Sequence, residues 1–176
     1  ESRRRAFLTG SQFVPGLQDL TLEELAEEFE FLGLWEDQCR YLIELGEELP
    51  ELDPAEMAEE NRVPGCQSQV WFVPQVHTDP AGTTIEIRAK SDARIVDGLI
   101  VVLLTLVNGK TPAQILDTDF SAAFKRLGLE AHLVPQRRNG LYSMVERVKV
   151  IARAYAPVGE DGLSRNGAAH SDDDET

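Results

Sequence analysis

The sequence has few of the residues that build metal sites and disulfide scaffolds. Its 176 residues include two cysteines and three histidines. The cysteines, Cys39 and Cys66, show no CxxC spacing, and the histidines are scattered along the chain. The sequence therefore predicts neither a disulfide framework nor a metal site. We expect both cysteines to stay reduced, as in the cytoplasm.

The chain also lacks a long apolar run. The longest, from Ile95 to Val107, is 13 residues long and contains Asp97 and Gly98, which is too short and too interrupted to span a bilayer. Near the start, Arg4-Arg5 resembles a twin-arginine export signal, but glycine, proline and polar residues break the apolar run that such a signal needs. We therefore expect a cytoplasmic protein with no membrane partner.

Positive charge is scarce overall and unevenly placed. The chain has 17 basic and 31 acidic residues and a net charge of −14, which disfavours nucleic acids and anionic membrane surfaces as partners. Fifteen of the acidic residues lie in residues 21–60, against Arg40 alone. Residues 61–157 hold twelve basic and eight acidic residues and are mildly basic.

Apolar periodicity indicates several helices and one hairpin. Thr21 and Glu24 form a capping box before the first helix, and Gly33 ends it. Ser91 is predicted to cap a central buried helix that runs to Asn108. The other predicted elements are a helix over 35–49, strands over 69–76 and 83–89, and helices starting at 111, 121 and 139. Pro74 either confines the first strand to a sheet edge or ends it early.

These elements predict an α+β fold, in which a small antiparallel sheet is covered on one face by several helices. The predicted organisation is an N-terminal extension over 1–20, a single domain over 21–157 and a disordered acidic tail over 158–176. The tail has too little apolar surface to order itself.

The two cysteines have different surroundings. Cys39 lies on the apolar stripe of the second predicted helix, a position typical of a cysteine that fills the core. Cys66 follows Pro64-Gly65 in a loop and precedes the polar residues Gln67, Ser68 and Gln69. Loops on a rigid scaffold are where reactive thiols tend to occur, so Cys66 is the candidate nucleophile.

The segment Gly65-Cys66-Gln67-Ser68-Gln69-Val70-Trp71 resembles the signature of the SufE family of sulfur-acceptor proteins, which includes the CsdE-type members. Three further blocks resemble the family in the expected order, at Trp35–Gly46, Ser91–Leu99 and His132–Met144. Together the matches extend from about residue 20 to residue 156. Position 39, usually aromatic in the family, is a cysteine here.

The resemblance implies a sulfur relay to iron–sulfur cluster assembly. Cys66 would accept sulfane sulfur from the persulfide of a SufS- or CsdA-type cysteine desulfurase, stimulate that enzyme and pass the sulfur to an iron–sulfur scaffold. No cofactor is implied for this chain, because the pyridoxal phosphate belongs to the desulfurase.

The resemblance also suggests residues that support the thiol or contact the partner. Arg137 matches an arginine that the family keeps near the acceptor loop, where it would favour a thiolate or steady the partner. Asp92 has either an interface role or an ordinary role in the first turn of its helix. Gln67 and Gln69 are candidates for shaping the loop.

Two other functions stay open on the residues alone. A pure adaptor would dock on the desulfurase or the scaffold without taking sulfur, and a Cys66→Ala variant would still bind. A cysteine hydrolase would use Cys66 with His132, which requires the imidazole within hydrogen-bond reach of the thiol.

Overall fold

Residues 16–157 are described by the computed structural model; the predicted acidic tail over 158–176 and residues 1–15 of the predicted N-terminal extension lie outside this range. The helices are α1 Leu22–Leu32, α2 Trp35–Glu47, α3 Arg94–Val107, α4 Pro112–Leu116, α5 Phe120–Arg126, α6 Leu129–His132 and α7 Pro135–Tyr155; a 3-10 helix spans Glu59–Asn61, and the strands are β1 Val70–Asp79 and β2 Gly82–Ser91. The end of the predicted extension joins the core, since Leu17 and Leu20 pack against it.

Local signals set the boundaries of α1 as predicted. The Thr21 hydroxyl accepts a hydrogen bond from the Glu24 N–H at 3.2 Å, and the Glu24 carboxylate accepts one from the Thr21 N–H at 3.1 Å. Gly33 ends the helix with φ of 71°, a left-handed conformation that favours glycine. Between these ends Leu25 and Phe29 are buried, so one face of α1 covers the core.

The two strands form one antiparallel hairpin. Its register pairs Phe72 with Ala89 and Val76 with Ile85, which places their side chains on the same face. Strand β2 alternates between buried and partly exposed residues, as expected when one face meets the helices. Pro74 lies in β1, which is an edge strand as predicted.

Helix α3 is the centre of the domain and packs against α2 without intervening side chains. Ten of its 14 residues are buried. A side-chain carbon at Gly98 would lie 2.4 Å from the Leu42 carbonyl oxygen, and one at Gly46 would lie 2.7 Å from the Gly98 nitrogen. The two helices therefore approach closely only because both positions are glycine.

The fold class is confirmed as α+β, with a two-stranded antiparallel sheet and helices in a single domain. Two helix starts were predicted wrongly. Ser91 is the last residue of β2, and Ala93 is the N-cap of α3. Helix α7 begins at Pro135 rather than Asn139, because proline suits the first helical turn.

Within residues 16–157, no helix combines the length and the apolar character that crossing a membrane requires.

Candidate functional site

The Cys66 loop, defined as residues 64–69, joins the segment after the 3-10 helix to β1. It turns at Gly65, whose φ is 84°. A side-chain carbon at this position would lie 2.7 Å from the Ser143 hydroxyl oxygen on α7. The same hydroxyl donates a hydrogen bond of 3.4 Å to the Gly65 carbonyl oxygen. Both the backbone conformation and the close approach of α7 therefore require glycine here.

The thiol of Cys66 is half-buried against the first turns of α7. Its Sγ donates a hydrogen bond to the Gly140 carbonyl oxygen at 3.5 Å. A side-chain carbon added at Gly140 would lie 3.9 Å from Sγ, so the thiol faces bare helix backbone at this point. The loop thus directs its nucleophile inward, toward α7.

A cavity of about 180 Å³ adjoins the thiol. Buried apolar side chains from β1, α3 and α7 form its inner side: Val70, Val96, Leu99, Leu141 and Met144. The exposed residues that line it include Gln67, Gln136 and Arg137. The site therefore combines an apolar inner side with a polar rim.

The other end of the loop is fixed to the segment between β2 and α3. The Asp92 carboxylate accepts a hydrogen bond from the Gln69 N–H at 3.0 Å. The Gln69 carbonyl oxygen accepts two more, from the Ser91 hydroxyl at 2.8 Å and from the Asp92 N–H at 3.1 Å. Three bonds on one residue hold this end of the loop in a single position.

Burial controls the acidity of the thiol at rest. It raises the pKa of Cys66, and among the described residues no positive charge offsets that shift. The charge of Arg137 acts instead on Cys39, where burial and the Glu36 carboxylate raise the thiol pKa and Arg137 opposes them. Both thiols are therefore protonated near neutral pH.

The predicted site residues fall into two groups. Cys66, Gln67 and Arg137 meet at the cavity. Gln69 and Asp92 do not line it and instead bond to each other at the end of the loop. The Asp92 carboxylate therefore bonds to the loop, and Asp92 is not part of the first turn of α3.

His132 is engaged elsewhere. Its ring stacks on Trp35 with centroids 5.0 Å apart, and its Nδ1 lies 2.9 Å from the Gly128 carbonyl oxygen. Of the histidines between residues 16 and 157, none lines the cavity beside Cys66. This arrangement does not provide the thiol–imidazole pair that a cysteine hydrolase needs.

Sequence reasoning missed three residues that shape the site: Gly140, Ser143 and Asp97. A glycine inside a helical pattern indicates that another segment packs closely against the helix, so the sequence does contain an indication for Gly140. Asp97 interrupts an apolar run, which is also unusual. Ser143 carries no local signal, because its contact with Gly65 joins segments 78 residues apart.

No group of three or more His, Cys, Asp or Glu side chains in the described part of the chain is arranged to hold a metal ion.

Comparison with known proteins gives consistent matches. The family model for SufE, described as an Fe-S metabolism associated domain, matches residues 23–152. An uncharacterized SufE-like protein of Rhizobium meliloti (strain 1021) is 40% identical over 137 residues, which cover 78% of this chain and 98% of the relative. Another from Rhizobium etli is 41% identical over 136 residues, covering 77% of this chain and 92% of that protein.

A solved structure supports the fold. The solution structure of a hypothetical protein from Thermus thermophilus matches with a TM-score of 0.59 and 21% identity, over 76% of this chain and 94% of that one. At this identity the likeness concerns the fold alone, whereas the family model and the two relatives cover most of the sequence. The chain belongs to the SufE family, and its domain is one associated with iron–sulfur metabolism.

Proposed function

We propose that this chain is a cytoplasmic sulfur acceptor, in which Cys66 takes sulfane sulfur from the persulfide of a cysteine desulfurase. The observation that carries the proposal is the Cys66 thiol, held beside an apolar cavity by a loop that is tethered at both ends. Relay of that sulfur to an iron–sulfur scaffold accords with the family's association with iron–sulfur metabolism.

The chemistry is a thiol–persulfide exchange. The Cys66 thiolate attacks the outer sulfur of the donor persulfide, a new S–S bond forms on Cys66, and the S–S bond of the donor breaks. The donor cysteine leaves as a thiolate and recovers the proton that Cys66 lost. The sulfane sulfur changes carrier without net oxidation or reduction, so the step requires no cofactor on this chain.

The cavity fits the product of this exchange. A persulfide adds one sulfur atom beyond Sγ, and about 180 Å³ bordered by five buried apolar side chains is enough to hold it. The apolar inner side disfavours the entry of charged thiols, which would reduce a persulfide. Because the thiol is half-buried and directed toward α7, the loop moves outward to present it to a donor persulfide.

Arg137 fits a role in partner contact. It is exposed on the rim of the cavity, and its charge does not offset the effect of burial on the pKa of Cys66. The exposed guanidinium can meet a carboxylate or carbonyl group of the donor protein. This supports the second of the two roles that the resemblance implies for it.

The test is an intact-mass measurement after incubation with a SufS- or CsdA-type desulfurase, pyridoxal phosphate and cysteine. We expect one added sulfur atom on Cys66, reversible by a reducing thiol. The Cys39→Ser variant should gain the same sulfur, and Cys66→Ala should gain none and lose stimulation of the desulfurase.

The adaptor alternative makes the opposite prediction for the same variants. If Cys66→Ala stimulates the desulfurase as well as the unaltered protein does, the chain acts by docking alone. If the unaltered protein gains no sulfur under conditions in which the desulfurase turns over, the acceptor proposal fails.

A further inference from the structure

A buried carboxylate, Asp97, lies beneath the end of the Cys66 loop. It occupies the first turn of α3 and is 6% exposed. Its Oδ1 accepts a hydrogen bond from the Ser91 N–H at 2.8 Å, and its Oδ2 lies 3.5 Å from the Lys90 ammonium. A side-chain carbon at Gly46 would be 2.7 Å from its Cβ, so α2 leaves Asp97 no room to move.

Ser91 transmits this constraint to the loop. It is itself 6% exposed, and its hydroxyl donates to the Gln69 carbonyl oxygen at 2.8 Å. Asp97 therefore fixes the main chain of Ser91, and the Ser91 side chain fixes the last residue of the Cys66 loop. Through these two hydrogen bonds, the buried Asp97 carboxylate on α3 supports the loop that carries the Cys66 thiol, although Asp97 does not contact that thiol.

We propose that Asp97 is a positioning residue, which keeps the Cys66 loop closed over its cavity by holding Ser91 in place. Without the carboxylate, the buried Ser91 N–H has no partner and the loop end loses its support. The loop then opens more often, and the thiol meets solvent more often. This deepens the proposed function, because an acceptor thiol must be sheltered between transfers.

Alkylation measures the opening directly and does not depend on sulfur transfer. In a Cys39→Ser background, the rate at which iodoacetamide modifies Cys66 reports how often the loop exposes the thiol. We expect Asp97→Ala to raise this rate about three- to ten-fold, the change that losing one buried hydrogen bond produces in a local opening equilibrium. Asp97→Ser, whose hydroxyl is too short to reach Ser91, should act similarly and serves if the alanine variant does not fold.

The conservative variant separates the hydrogen bond from the charge. Asp97→Asn keeps an oxygen for the Ser91 N–H, and Lys90 keeps Glu51 at 3.4 Å as a partner. We expect its alkylation rate to stay within about twofold of the background, since the bond to Ser91 is preserved.

A matched control lies at the other end of α3, where Asn108 is the C-cap. Its side-chain oxygen accepts a hydrogen bond from the N–H of the β2 residue Ile87 at 2.9 Å, in the same manner as Asp97. Asn108→Ala should lower the thermal midpoint of unfolding while leaving the alkylation rate unchanged.

Two results would overturn the inference. One is an unchanged alkylation rate in both Asp97→Ala and Asp97→Ser. The other is an equal acceleration in Asn108→Ala at a similar loss of stability. Neither result bears on whether Cys66 gains sulfur from a desulfurase, which the intact-mass experiment decides separately.

Discussion

The Cys66 thiol and the Gly140 carbonyl group are joined by a hydrogen bond of 3.5 Å across 74 residues of chain. The carbonyl group that accepts this hydrogen bond belongs to a helix, and the thiol that donates it belongs to a loop. Because Gly140 has no side chain, the sulfur rests against the backbone of α7. The contact is a weak hydrogen bond that gives the thiol a defined resting position.

Two glycines in helices should respond oppositely to the same substitution. Gly140→Ala adds a methyl group 3.9 Å from Sγ, an ordinary contact, and should raise the free energy of unfolding by about 0.5–1 kcal/mol through helix propensity. Gly98→Ala should lower it by about 2–4 kcal/mol, because the methyl group would meet the Leu42 carbonyl oxygen at 2.4 Å. Urea unfolding measures both, and a stable Gly98→Ala protein would contradict the close packing of α2 on α3.

Alanine variants of the neighbouring residues Arg137 and Arg138 should affect different properties, sulfur uptake in the first case and stability in the second. Arg138 donates to the Leu133 carbonyl oxygen at 3.3 Å, so Arg138→Ala should cost about 1 kcal/mol of unfolding free energy. Arg137→Ala should change stability by less than about 0.5 kcal/mol. It should slow sulfur uptake from the desulfurase about tenfold, if the guanidinium contacts the donor. Equal uptake by the two variants would remove Arg137 from the site.

The turn of the Cys66 loop should show coupling between Gly65 and Ser143. Gly65→Ala forces a positive φ on alanine and places its methyl group 2.7 Å from the Ser143 hydroxyl oxygen, so we expect a loss of about 1–3 kcal/mol. Ser143→Ala removes the clash but leaves the backbone strain. The double variant should therefore recover part of the loss, and an additive double-mutant cycle would show that the two residues do not meet.

The pH dependence of Cys66 should reveal its burial. Because burial raises the thiol pKa, the alkylation rate in a Cys39→Ser background should keep rising beyond about pH 8.5–9, where an exposed cysteine levels off. The folded-state pKa exceeds the unfolded one, so the stability due to the buried thiol is complete below the unfolded pKa. It is lost as the pH rises through the folded pKa.

Adding Cys66→Ser supplies the control for this titration. A serine hydroxyl stays neutral, so the loss of stability at alkaline pH should be smaller in the Cys39→Ser, Cys66→Ser protein than in Cys39→Ser alone. Parallel stability curves in urea would indicate that the thiol pKa is not shifted by folding.

The sequence predicted those features whose causes are local. The Thr21–Glu24 capping box, the stop at Gly33 and the hairpin each depend on residues a few positions apart, and the structure has them all. The cysteine loop was identified from one continuous motif. The prediction for Ser91 was wrong because it used only neighbouring residues. A serine before an apolar run favours an N-cap, but here the Ser91 hydroxyl bonds to Gln69, 22 residues earlier.

The remaining features of the site depend on contacts between distant segments. Three elements must be packed together before α7 comes close enough to Cys66 for a bond to Gly140. The same holds for the support that Asp97 gives to the loop through Ser91. Such side-chain bonds leave no periodic trace in the sequence. The hydrogen-bond partner of Cys66 therefore had to come from the structure.

The tethers at both ends of the Cys66 loop have a consequence for which molecules can reach the thiol. Small oxidants and thiols have no preference for either loop position, so they do not shift the equilibrium between the two positions. A protein that binds the displaced loop more tightly than the closed one shifts this equilibrium in proportion to the difference in affinity. If Cys66 accepts sulfur as proposed, the loop selects its reaction partners by binding energy rather than by size, and a small molecule that fits the cavity gains no such advantage.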